Sequence, residues 1–209
     1  MAHVSNIREM RGLIEISLDG VAWLRVRKKH FSMRPISDGD ELNPEAYLDS
    51  LAAAQAADCY EAALCMLDRA AQTGGQLRQK LIFKGYVPAA ADAAVERLTE
   101  NRLIDDKRFA QRIAQSSAAK PVGAYAVQRK LRAKRLPPEA IEEAMQCFDS
   151  AQQAEACRTA AQALCRKYAT LPPREARAKL SQALARRGFG WESISGAVDE
   201  ALGGDAFDD

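Results

Sequence analysis

Histidine, aromatic side chains and paired cysteines are all scarce in this 209-residue chain. His3 and His30 are its two imidazoles, so the commonest general base and metal ligand is missing from nearly the whole sequence. The five cysteines are an odd number without a C-x-x-C pair, which argues against a disulfide framework or a metal knuckle and for reduced, mostly buried thiols. No stretch approaches the roughly 20 apolar residues of a membrane span, and MAHVSNIREMRG lacks the apolar centre of a signal peptide, so a soluble, cytoplasmic protein is expected. Gly74-Gly75 precedes a helix without the strand and lysine pattern of a phosphate loop. The adjacent acids Asp105 and Asp106 have no histidine, serine or metal-ligand set beside them and read as a helix N-cap. The expectation is therefore a protein that is not an enzyme, with no catalytic residue, cofactor or metal.

What is abundant is alanine, leucine, arginine and glutamate, with twelve glycines in all, a composition that favours helix over sheet. Net charge is near balance, but unevenly distributed. Residues 58 to 146 carry 15 Lys/Arg against 11 Asp/Glu, while the segments before and after each hold one more acid than base. The basic part of the chain is its middle.

Near the start, LIEISLDGVAWLRV (13 to 26) alternates around Asp19-Gly20, placing Ile14, Ile16 and Leu18 on one face and Ala22, Leu24 and Val26 on the returning one. Asp-Gly supplies the positive φ angles of a primed two-residue turn, so the pattern predicts a β-hairpin. A lone hairpin is marginal in water, and a third strand within 31 to 37 or the following helices should cover it. Asn43-Pro44-Glu45 then has the capping side chain, first-turn proline and first-turn acid of a helix start.

From about residue 58 the period becomes helical and the sequence repeats itself. KLIFKGY (80 to 86) returns as KLRAKRL (130 to 136) and as ALARRGF (183 to 189). A shift of 50 superposes Leu77, Leu81, Ala91, Val95 and Leu98 on Val127, Leu131, Ile141, Met145 and Phe148, and a shift of 103 reaches Leu180, Leu184, Ile194, Val198 and Ala201. Each set spans two amphipathic helices, and a preceding helix (59 to 71, 106 to 117, 152 to 168) completes each unit. Pro88, Pro138 and Pro173 stand where new helices would begin. The fold class expected is mainly α: three tandem three-helix repeats forming an elongated curved array, with a small N-terminal β-hairpin. Its divisions would be an extension over 1–43, repeats over 44–104, 105–149 and 150–202, and a flexible tail over 203–209.

The recurring phrase is a helix stop. Gly85 and Gly188 can take the left-handed conformation, Lys84 and Arg187 complement the helix dipole, and Tyr86 and Phe189 can fold back on Leu81 and Leu184. The middle copy departs from this, since Arg135 holds the glycine position, where a left-handed residue costs about 1 kcal/mol or more. Arg129, Lys130, Arg132, Lys134 and Arg135 fall within seven residues without an acid. With Val127 and Leu131 facing the core, Arg129 and Arg132 point outward one turn apart. Charge alone leaves open a solvated face or a seat for phosphates or an acidic protein surface.

LRQKLIFKGY (77 to 86), RLIDDKRFA (102 to 110), QRKLRAKRLPPEAIEEAM (128 to 145) and LARRGFGWESI (184 to 194), in this order, resemble the RecX family of bacterial regulators of the RecA recombinase. The resemblance covers about 58 to 202. It implies a regulator lying along the groove of a RecA–single-stranded DNA filament that suppresses strand exchange, ATP hydrolysis and stimulated repressor self-cleavage, with roles in DNA repair, homologous recombination and the SOS response. The expected partners are the RecA filament and single-stranded DNA, with weaker duplex binding, no membrane, and a monomeric state. The expected contacts are Arg129, Lys130, Arg132, Lys134, Arg135, Lys80, Lys84, Arg186 and Arg187. Gln128-Arg129-Lys130 and Arg135 depart from the family pattern, in which an acid and a glycine often stand. Two other readings remain open: a helix-turn-helix module acting directly on genes, and a helical scaffold binding only proteins.

Overall fold

The structure is a computed structural model and describes residues 1 to 203; beyond Gly203, the expected tail lies outside the described residues. The chain forms two compact units, one spanning Met1–Asp105 and the other beginning at Asp106.

In the first unit, strands β1 (Ala2–Met10), β2 (Leu13–Leu18), β3 (Val21–Arg27) and β4 (Glu41–Leu42) form an antiparallel sheet in the order β3-β2-β1-β4. The hairpin predicted around Asp19-Gly20 is β2–β3, and both turn residues have positive φ (48° and 82°). A second turn of the same kind, Arg11-Gly12 (52° and 83°), adds β1, so the third strand comes before the hairpin rather than from 31 to 37. That stretch begins with the last residue of the short helix α1 (Lys28–Phe31) and holds no strand. Ile14, Ile16, Leu18 and Val26 are buried as the alternation predicts, whereas Ala22 is exposed. The register slips opposite Ile16 and Ser17, so Trp23 is the extra residue of a bulge and Ala22 falls to the other face.

Helix α2 (Pro44–Arg69) covers the sheet. The Asn43 side chain accepts from the amides of Glu45 (3.0 Å) and Ala46 (3.3 Å), and Pro44 fills the first helical position. No glycine or proline interrupts the sequence before Gly74, so one helix runs on from this cap where a separate helix over 59 to 71 was expected. Its buried stripe, Tyr47, Leu51, Gln55, Cys59, Ala63 and Met66, recurs at helical spacing and joins the sheet and the next two helices, α3 (Gly74–Phe83) and α4 (Pro88–Glu100), in one core. Each fully buried leucine of that core, such as Leu51, Leu77 or Leu98, is worth about 1.5–3 kcal/mol relative to exposure.

A polar clasp ties this core together. Tyr86 Oη donates to Asp58 Oδ2 (2.8 Å), Arg27 Nη1 reaches both Tyr86 Oη (2.8 Å) and Asp58 Oδ2 (3.2 Å), and Lys29 Nζ reaches Asp58 Oδ1 (3.1 Å). Burial pushes the Asp58 carboxyl up, but the bonds from Tyr86 and Lys29 and the nearby cations outweigh it and hold the carboxyl below its ordinary range. Burial and the Asp58 bond push the Tyr86 phenol up to about 12. His30 lies fully buried beside them, its Nε2 3.2 Å from Asp58 Oδ2 but neither ring nitrogen in an aligned hydrogen bond among the described residues.

The second unit holds two three-helix groups. Helices α5 (Asp106–Ala118), α6 (Ala124–Ala133) and α7 (Pro138–Met145) enclose one core; α8 (Ser150–Cys165), continued by a 3-10 turn (Arg166–Tyr168), with α9 (Pro173–Arg186) and α10 (Trp191–Ala201), encloses another. Pro88, Pro138 and Pro173 each occupy the first position of a helix. With α2, α3 and α4, this makes three successive three-helix groups, and the chain is mainly α with a small N-terminal antiparallel sheet.

Candidate nucleic-acid interface

The three copies of the helix stop share one backbone conformation but differ in what covers them. Gly85, Arg135 and Gly188 have φ of 87°, 56° and 84°, so the middle copy ends its helix as the others do, with arginine in the left-handed region. Gly85 is buried against the sheet, where a Cβ would stand 2.7 Å from Leu13 Cδ2 and 3.1 Å from the Arg27 amide nitrogen. Buried Gln55 clasps the same stop, donating to the Gly85 carbonyl (3.3 Å) and accepting from the Val87 amide (2.7 Å). Gly188 is buried against the start of α6, where a Cβ would overlap Ala126. Arg135 is exposed. Glycine is thus required twice over where a stop docks against another element; where the stop faces solvent, only the conformational cost applies, and arginine can bear it.

The docking of Gly188 fixes α6. The Gly123 amide donates to the Arg187 carbonyl (3.0 Å), the Tyr125 amide to the Gly188 carbonyl (3.1 Å), and the Ala124 amide to Gln153 Oε1 on α8 (2.8 Å). The third group therefore supplies acceptors for the orphan amides of α6, which has no side-chain cap of its own. From this anchored end α6 runs with Val127 and Leu131 buried. Arg129 and Arg132 lie on the opposite side, both exposed.

What separates α6 from its counterparts is missing neutralisation. In the first group Arg78 of α3 forms a bidentate pair with Asp92 of α4, and in the third Arg177 of α9 pairs with Asp199 of α10. In the middle group the acid facing inward, Glu143 of α7, is engaged by Lys107 (3.0 Å) and Gln111 (3.0 Å) of α5 instead. Arg129, Lys130, Arg132 and Arg135 have no acidic partner among the described residues, and all four are exposed. Lys134 is half-buried at the end of α6.

The remaining sequence-predicted contacts are distributed as follows. Arg186 is exposed at the end of α9, and Arg187, half-buried, contributes its carbonyl to the seam with Gly123. Lys80 and Lys84 belong to the first unit; both are exposed, and Lys80 Nζ donates to Gln72 Oε1 (2.5 Å). They flank a groove of about 530 Å³ whose lining includes Met66, Arg69 and Phe83.

Beside the predicted arginines stand Gln128, noted in the sequence only as a departure from the family pattern, and two aromatic residues, Tyr125 and Trp191, that the sequence reading missed. Tyr125 and Gln128 share the Arg129 and Arg132 face of α6, and Trp191 opens α10 directly after Gly190, whose position is in van der Waals contact with the Tyr125 ring (3.6 Å to a Cβ placed there). The signal was present for Tyr125 alone, which lies off the Val127/Leu131 stripe; Trp191 is in phase with Ile194 and Val198, so period assigns it to the core, yet it stands exposed at the head of α10. Among the described residues no group of three or more His, Cys, Asp or Glu side chains could hold a metal, and no helix is long and apolar enough to cross a membrane.

Family models for the first, second and third three-helix domains of RecX match residues 59–98, 105–145 and 151–198. The regulatory protein RecX of Chlorobaculum tepidum is 38% identical over 144 residues, covering 68% of this chain and 86% of that protein. The regulatory protein RecX of Xanthomonas axonopodis pv. citri is 33% identical over 138 residues, covering 65% of this chain and 83% of its own length. A crystal structure of a regulatory protein RecX superposes with a TM-score of 0.62 at 24% identity, over 95% of this chain and all of the other; that of RecX from Lactobacillus salivarius gives 0.61 at 23%, over 71% and 97%. At these identities the two structures speak to the fold.

Proposed function

This chain belongs to the RecX family of regulatory proteins, and on that premise we propose that it binds the filament of RecA on single-stranded DNA and restrains strand exchange, ATP hydrolysis and stimulated repressor self-cleavage. The observation that carries the reading is the uncompensated charge of α6. Two groups of the same design neutralise a second-helix arginine with a third-helix aspartate; the middle one leaves Arg129 and Arg132 facing solvent. A single-sign patch on an anchored helix is suited to phosphates or to an acidic protein surface, and such contacts need no chemistry from the protein. Lys80, Lys84, Arg186 and Arg187 are assigned supporting contacts, each modest alone and stronger when linked in one chain. The protein acts in this reading as a cytoplasmic monomer, without catalytic activity.

The test is titration into a reaction of recombinase, single-stranded DNA and ATP. Inhibition of ATP hydrolysis well below saturation of the DNA supports the filament reading. Inhibition that begins only when the protein covers all free DNA would reduce it to competition.

A second reading, a helix-turn-helix regulator acting on genes, draws on Gln128, Arg129 and Arg132 lying along one side of α6, since arginine and glutamine are the side chains that read base edges in a major groove. It requires a preferred duplex sequence. Selection from random duplex pools would reveal one.

A further inference from the structure

We infer that Tyr125 and Trp191 form a stacking platform for the unpaired bases of a single strand, with Arg129 and Arg132 holding the adjoining phosphates. The inference rests on the filament reading for its setting and names the part of the filament touched.

Aromatic residues make up 6% of this chain, yet Tyr125 is 65% exposed and Trp191 73% exposed. Neither ring belongs to a core cluster, pairs with another ring, or lies beneath a guanidinium among the described residues, so their faces are open. They are neighbours, because the Tyr125 ring lies against Gly190 and Trp191 is the next residue. Their backbones are fixed: the Tyr125 amide is bonded to the Gly188 carbonyl and Trp191 begins a regular helix, so the freedom lost when a ligand meets them is confined to side-chain rotation.

Charge decides between the possible occupants. From Tyr125 the same side of α6 continues through Gln128 and Arg129 to Arg132, about 10 Å along the axis, and this row carries no acid. Glu192 follows Trp191 in sequence and is exposed. Open aromatic faces beside a positive track are the arrangement by which proteins hold single strands without reading their sequence. An apolar protein surface would match the rings and leave the arginines unanswered.

The test uses the full chain with Trp23→Phe, so that Trp191 is the sole indole. Oligothymidylate and an abasic strand of equal length and charge are titrated separately while Trp191 emission is followed. Stacking predicts quenching by oligothymidylate and affinity about tenfold or more above that for the abasic strand. Tyr125→Ala, made in the Trp23→Phe chain, should lose about tenfold for oligothymidylate and little for the abasic strand, with Tyr125→Phe retaining the affinity; Trp191→Ala, followed by strand anisotropy, should behave like Tyr125→Ala. Equal affinity for the two strands, or binding of oligothymidylate that leaves Trp191 emission unchanged, overturns the inference. So does quenching by the assembled filament but never by free strand, which would place the rings on protein. Recombinase ATP hydrolysis measured in parallel separates the two claims: full inhibition without base-dependent binding sinks the platform alone, and base-dependent binding without inhibition sinks the filament reading alone.

Discussion

The amide of Tyr125 donates to the carbonyl of Gly188 at 3.1 Å, and through this bond the end of α9 caps the start of α6. The neighbouring bond from Gly123 to the Arg187 carbonyl makes the join a main-chain seam, closed to any side chain on Gly123 or Gly188. Substitution there should be severe. Gly188→Ala, strained both by its φ of 84° and by overlap with Ala126, and Gly123→Ala, strained by overlap alone, should each destabilise the second unit by about 2–4 kcal/mol in chemical denaturation. A change below about 1 kcal/mol would show that the seam yields without strain.

Arg135→Gly should act in the opposite direction on stability. Relieving a positive φ at an exposed arginine is expected to stabilise by about 1 kcal/mol. If the arginine is kept for a contact with the filament, the same variant should inhibit recombinase less well despite its greater stability. Unchanged inhibition would assign the residue to the helix end only.

Reversing charge at Arg129 and Arg132 tests the proposed contact. The double variant to glutamate should raise the protein concentration for half-inhibition of ATP hydrolysis by about tenfold or more. For binding to single strands, the slope of log affinity against log salt should become shallower by about 0.7 for each phosphate no longer neutralised. Because both side chains are exposed, the melting temperature should change little, and a large fall in it would point to a structural role instead.

The clasp around Asp58 makes stability depend on pH in two windows. Burial lowers the His30 pKa below its ordinary 6.5, so below that pH the unfolded chain takes up the proton more readily and stability falls as pH falls, by up to about 1.4 kcal/mol per pH unit. Asp58 is held below its ordinary value, so its contribution is complete above about pH 4 and is lost only as pH drops through the lower folded value. His30→Gln should flatten the upper window and leave the lower one. Denaturation curves between pH 7.5 and 3.5 would resolve the two.

Much of this architecture was legible because helical periodicity and proline starts agreed with each other at three places, and glycine stops with them at two. The strand before the hairpin was not. AHVSNIREM buries Val4 fully and Ile7 partly, so it carries no clear alternation, and the turn that introduces it is Arg-Gly rather than the Asp-Gly that announces itself. The bulge at Trp23 was equally invisible, since alternation reads on through it. At the candidate interface, the outward direction of Arg129 and Arg132 followed from the buried stripe of α6. Their lack of acidic partners did not, because the pairs Arg78–Asp92 and Arg177–Asp199 join residues 14 and 22 apart in sequence, and only the packed helices show which arginines are answered.

Because the seam between the second and third groups is written largely in main-chain atoms, its upkeep asks almost nothing of the exterior. Two glycines and one glutamine side chain suffice, and the residues displayed on α6 and at the head of α10 can be exchanged without loosening what carries them. A chain built this way can be retuned toward a different polymer by altering its decoration, while the joint that presents that decoration stays the same.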